Sequence, residues 1–243
     1  MTRHLSSKQV KQEAGGRAGG FTLIELLIAI AIIGFLISIL LPAMSAARQS
    51  ARITRAHSDL RQVMIGLDGY LMNNADHVPP SRSACGTTIY DQLPVELSNQ
   101  YFLPPSPNRI PQAHMIDVFS PTGETYKYRA PGGIWFNGTF FDTPDQPAHP
   151  RSLIWVPDDF PANQSAGGKY YGNLTGEPPC PAKFVLWSIG PDPKSAKFPR
   201  NPILGTVVNS QFPLPAGFWL MRSTDTGLIT HFQGRTGFEY VSP

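Results

Sequence analysis

A single carboxylate, Glu25, stands near the start of an otherwise uncharged, strongly apolar run from Phe21 to Leu41. The run matches the roughly 20 residues that an α-helix needs to cross a bilayer, where an unpaired ionised group is expensive. An acid in that place either has a partner or snorkels from the end of the span to the headgroups. The other groups capable of chemistry are dispersed. His57, His77, His114, His149 and His231 are scattered, Asp158-Asp159 is an acidic pair without an evident partner, and no Gly-x-Ser-x-Gly turn occurs. An enzyme reading therefore has little to stand on. Cys85 and Cys180 are the only cysteines, and neither has another cysteine or a histidine at metal-ligand spacing.

The elements around Glu25 follow from composition. Residues 1–20 carry Arg3, Lys8, Lys11 and Arg17 against Glu13 and end in a glycine-rich stretch, which reads as a basic leader. An ordinary signal peptide would be cut after its apolar region, and Ser45-Ala46-Ala47 resembles such a site. Against it, the apolar region exceeds the about 7 to 15 residues that such signals use. The whole chain has 20 Lys+Arg and 17 Asp+Glu, and the excess lies in the leader, so the remainder is formally neutral. No block of positive charge long enough to follow a phosphate backbone remains, which excludes nucleic acid as a partner of the isolated subunit.

After Pro42, apolar residues Met44, Ala47, Ala51, Leu60, Val63, Met64, Leu67 and Leu71 recur at spacings of three and four, with Arg48, Arg52, Arg55, Asp59, Arg61 and Asp68 between them. This spacing predicts an amphipathic helix continuing to about residue 74. Pro42 kinks or locally opens the helix without ending it. Of the 25 prolines all but Pro42 lie from Pro79 onward, so long helices are not expected there. Short β-leaning runs occur at Tyr126 to Arg129, Ile134 to Phe141, Leu153 to Val156, Phe184 to Ile189, Phe218 to Met221 and Gly227 to Phe232. Their close spacing predicts antiparallel pairing. The expected fold is α+β: a long helix over 21–74, with 21–41 transmembrane and 42–74 amphipathic, packed on a small antiparallel sheet with Pro/Gly-rich loops in a β-rich domain over 75–243. Trp135, Phe136, Phe140 and Phe141 are expected to pack in the core against the helix rather than form an exposed sticky surface.

The stretch Gly20-Phe21-Thr22-Leu23-Ile24-Glu25-Leu26-Leu27, with its long apolar run and then Pro42, resembles the type IV prepilin-like proteins, which include pilins, competence pseudopilins and the pseudopilins of type II secretion. Two further segments resemble type II secretion major pseudopilins. Asp117-Val118-Phe119-Ser120-Pro121 followed by Tyr126-Lys127-Tyr128-Arg129 is similar to their Asp-Pro-(Phe/Trp)-Gly and Tyr-x-Tyr stretch, with Val118 in place of proline. Trp187-Ser188-Ile189-Gly190-Pro191-Asp192 is similar to their Ser-x-Gly-x-Asp-Gly segment, with Pro193 in place of the last glycine.

The resemblance implies that a prepilin peptidase cuts between Gly20 and Phe21, removes residues 1–20 and methylates the amine of Phe21. A new amine and the Glu25 carboxylate, one helical turn apart, would relieve each other's charge within a chain or between neighbouring subunits. The family favours the second, making Glu25 an assembly register. The implied protein is a non-enzymatic structural subunit of a type II secretion pseudopilus. It would sit in the bacterial inner membrane by a single pass, with its C-terminal domain outside the cytoplasm. Assembly machinery of that membrane and minor pseudopilins would be its partners as it forms a homo-oligomeric helical filament. The alternatives are a type IV pilin for adhesion, motility or DNA uptake, and a membrane-tethered binding module that never polymerises. In the family the loop at Asp192 binds calcium. Here only Asp192 carries over, and Lys194 and Lys197 with no acid before Asp225 leave a bare turn cap as the competing role. Outside the cytoplasm Cys85 and Cys180 could form a disulfide or remain two buried thiols.

Overall fold

The computed structural model describes residues 20–83, 91–107, 112–120, 123–136, 138–141, 154–157, 160, 168–171, 179–191, 220 and 227–241. Helix α1 spans Leu23–Asn73 with Pro42 inside it. Thr22 starts it, with the Leu26 amide donating to the Thr22 carbonyl at 3.2 Å. Pro42 has no amide to offer the Ser38 carbonyl. The neighbouring hydroxyls fold back on the helix, Ser38 donating to the Phe35 carbonyl at 2.7 Å and Ser45 to the Pro42 carbonyl at 2.8 Å. The chain divides into two units, residues 1–47 and 48–243.

Within the second unit α1 buries Ala56, Leu60, Val63, Met64, Leu67 and Leu71. Spacings of three and four place these side chains on one face, as the periodicity predicts. The stripe begins later than the sequence suggests, because Met44, Ala47 and Ala51 are exposed. A short helix α2, Val95–Asn99, follows. Its end is fixed by Tyr101, in the left-handed region at φ +62°.

The principal sheet joins β2 (Lys127–Arg129), β7 (Ala182–Ser188), β8 (Ile229–Gly234) and β9 (Glu239–Val241) in that order. All of its pairings are antiparallel. Alternation along β7 splits the core in two. Phe184 and Leu186 join the α1 stripe with Tyr126, Tyr128 and Ile229, while Val185 and Trp187 join Trp155, Phe160 and Phe232 in a second cluster. The second cluster includes β5 (Ile154–Val156), which pairs antiparallel with β6 (Lys169–Tyr171).

A third sheet departs from expectation. The run from Ile134 to Phe141 is two strands, β3 (Ile134–Phe136) and β4 (Thr139–Phe141), turning at Gly138 with φ +82°. β3 also pairs in parallel with β1 (Ser81–Ser83). The connection between these parallel strands includes α2 and β2, whereas the proline content predicts antiparallel pairing only. Trp135 and Phe140 pack on each other at 5.3 Å between centroids, Phe140 stays 43% exposed, and the Arg82 guanidinium lies 5.0 Å from the Trp135 ring centroid. Neither aromatic joins the core under α1, contrary to the expectation for them. The side chains of Phe136 and Phe141 lie outside the described residues, as does most of Phe218 to Met221.

Candidate functional site

At the head of α1, Thr22 and Glu25 form a reciprocal cap. The Thr22 amide donates to Glu25 Oε2 at 2.9 Å, the Thr22 hydroxyl donates to the same oxygen at 2.8 Å, and the Glu25 amide donates to Thr22 Oγ1 at 3.3 Å. This is a Thr-x-x-Glu capping box, which satisfies amides that the first turn of any helix leaves without partners. The Thr-x-x-Glu spacing is the sequence signal for this cap, and the charge of Glu25 alone does not reveal the part played by Thr22. One oxygen, Oε1, accepts nothing among the described residues and is free for an outside donor. An amine created at Phe21 would start one residue before this cap.

Gly20 is exposed, and a Cβ built on it meets nothing within 4 Å. Its φ is not in the left-handed range either. The fold thus places no demand for glycine here. Phe21 is 82% exposed. The peptide bond between them is open to a protease, and a glycine requirement at Gly20 has to come from whatever reads the chain. Downstream, α1 holds a stretch long and apolar enough to cross a membrane, none of it buried among the described residues.

A second polar centre ties together the two segments that resemble pseudopilins. Asp117 is 2% exposed. It accepts from the Phe119 amide at 2.9 Å, from the Ser188 hydroxyl at 2.8 Å and from the Ile189 amide at 2.9 Å. Burial pushes its carboxyl up, against these bonds and Lys127, which pull it down. The Gly190 amide donates to Ser188 Oγ at 3.1 Å. Gly190 has φ +68°, and a Cβ there would fall 1.6 Å from the Gly227 carbonyl oxygen, so no other residue fits. Three donors converging on one carboxylate make this a structural clasp between loop and sheet.

Asp192, Cys85 and Asp158-Asp159 lie outside the described residues. Cys180 is buried, its thiol pushed up to about 12 chiefly by that burial. A thiol so protonated is a poor nucleophile. Among the described residues no group of three or more His, Cys, Asp or Glu side chains is arranged to hold a metal ion. Two of the histidines scattered in the sequence meet in the fold: His57 Nδ1 lies 3.0 Å from His231 Nε2, joining α1 to β8. His231 is 1% exposed, with Nδ1 3.6 Å from Glu239 Oε1. Burial, then the neighbouring His57 and Arg61, hold its pKa down to about 3.

Comparison with known proteins bears on the head of α1 first. Residues 16–41 match the prokaryotic N-terminal methylation motif. Over 118 residues the chain is 28% identical to type II secretion system core protein G of Dickeya chrysanthemi, covering 48% of this chain and 71% of that protein. No solved structure matches. These likenesses point to a structural subunit rather than an enzyme. With the motif on the capped head of an apolar helix and a relative in type II secretion, the chain resembles the type IV prepilin-like proteins and is similar to a major pseudopilin among them.

Proposed function

We propose that the chain is a filament subunit of a type II secretion pseudopilus, held in the inner membrane by residues 21–41 until assembly and then polymerising through α1 to drive protein export. A prepilin peptidase cleaves between Gly20 and Phe21 and methylates the new amine. Inner-membrane assembly machinery and minor pseudopilins are its working partners. The observation that carries the reading is the uncovered apolar surface of α1. Leu26, Ile30, Ile33, Phe35, Leu36 and Leu40 are all more than half exposed among the described residues. A surface of this kind is stable only in lipid or against other copies of itself. Glu25 supplies the register, its free Oε1 accepting from the Phe21 amine of a neighbour while Oε2 keeps the cap.

Glu25→Val separates the steps: processed, inserted protein is expected, with filaments lost or out of register in electron microscopy. Gly20→Glu is expected to leave the leader attached, read by N-terminal sequencing. Normal filaments from Glu25→Val would remove the role given to its carboxylate. Long surface fibres from the unmodified chain would favour the adhesive or motility pilin, and monomers alone the tethered module.

A further inference from the structure

Beyond its apolar stretch α1 carries a surface of opposite chemistry. Arg48, Arg52 and Arg55 are spaced by four and three residues, which sets them on one face of the helix. All three are exposed. Arg55 keeps 71% of its side chain in solvent although its Nε lies 3.6 Å from Asp59. Among the described residues neither Arg48 nor Arg52 has an ion-pair partner. The sequence has no carboxylate at all between Glu25 and Asp59. Arg48 follows Leu41, the last residue of the apolar run, by two helical turns. Cations on long stems this soon after a crossing reach the headgroup layer. The arginine fork also matches phosphate oxygens in a way that a lysine ammonium does not.

We propose that Arg48, Arg52 and Arg55 form a docking face for anionic phospholipid headgroups on the side of the bilayer where the domain lies. The proposal rests on the membrane-anchor part of the function above and adds a partner to it. Lipid is favoured over the acidic surface of a second copy because the stripe continues directly from the apolar run and ends at Asp59, the first acid after it. Its bearing on function is the order of events: the face holds the waiting subunit at a fixed height, and extraction into a filament has to release these contacts.

The test uses the full chain in nanodiscs, with a fluorescent non-natural residue at the exposed Ala51 and spin-labelled headgroup lipids as quenchers. An anionic phosphatidylglycerol quencher is expected to outcompete a zwitterionic phosphatidylcholine one, by about fivefold for each arginine at low salt. The preference should shrink with salt, fall stepwise through Arg48→Gln, Arg52→Gln and Arg55→Gln, and return only in part in the triple lysine variant, which keeps the charge without the fork. Equal quenching by both lipids in a carbonate-resistant, inserted protein overturns the docking face and leaves the anchor standing. Carbonate extraction of the protein overturns the anchor and the docking face together. An arginine effect seen only in nanodiscs holding two copies assigns the face to a neighbouring subunit and overturns the lipid proposal.

Discussion

α1 contains two stretches with the same backbone and opposite surroundings. From Leu23 to Leu41 its large apolar side chains stand in the open, Leu23 at 80% and Leu41 at 63% exposed. From Ala56 to Leu67 the same helix seals Ala56, Leu60, Val63 and Leu67 completely. The difference lies in spacing. The first stretch is apolar on all sides and leaves no face for water, whereas the second gathers its apolar residues, Ile65 excepted, into one stripe with Arg61, Asp68 and other polar residues around it. A helix alone therefore tells little about its surroundings; how its apolar residues are distributed tells whether the partner lies in the same chain or outside it.

Substitutions at matched residues break or sharpen this contrast. Leu67→Ala should cost the full chain in detergent about 2–5 kcal/mol, because it opens a cavity under the sheet. Thermal melting followed by near-ultraviolet circular dichroism reads that loss. A smaller effect comes from acid. The His231 pKa is depressed to about 3, and that of His57 is lowered by burial and Arg61. The unfolded chain thus takes up protons below about pH 6.5 that the folded chain refuses. Stability is complete above that pH and declines as pH falls toward 3, with ~2 kcal/mol gone at pH 5 from His231 alone. Arg61 adds repulsion to a protonated pair, and Glu239 beside His231 Nδ1 offsets part of it. Denaturant titrations at pH 7 and 5 measure the slope, which should flatten in His231→Asn.

Thr22→Ala removes the hydroxyl of the capping box. It should loosen the first turn by about 1 kcal/mol, seen as faster amide exchange at Ile24 and Glu25 with the domain's melting unchanged. The smallest effect is expected from Leu36→Ala, which should leave that melting within about 0.5 kcal/mol of the parent. A large loss there would mean that the apolar stretch is covered within the chain after all.

Much of this arrangement was legible in the residues. The lone acid, the apolar run and the stripe from Leu60 to Leu71 identify α1 by periodicity, and the aromatic and β-branched runs give β2, β5, β7 and β8. The unforeseen elements have physical reasons. Ser81-Arg82-Ser83 has no β-leaning residue, so β1 exists only because β3 offers it an edge. Gly138 permits a turn inside what reads as one continuous apolar run. Asp117 stands in a segment that resembles the pseudopilins, but its donors on Ser188 and Ile189 lie 71 and 72 residues away, a separation that local spacing does not register. The meeting of His57 with His231 spans 174 residues and was hidden for the same reason.

The sealed thiol of Cys180 turns the second cluster into its own alarm. With the sulfur enclosed by Val185, Trp187 and their neighbours and holding its proton, a maleimide can reach it only when that half of the domain comes apart, so the pace of modification at this one atom would clock how often the sheet lets go.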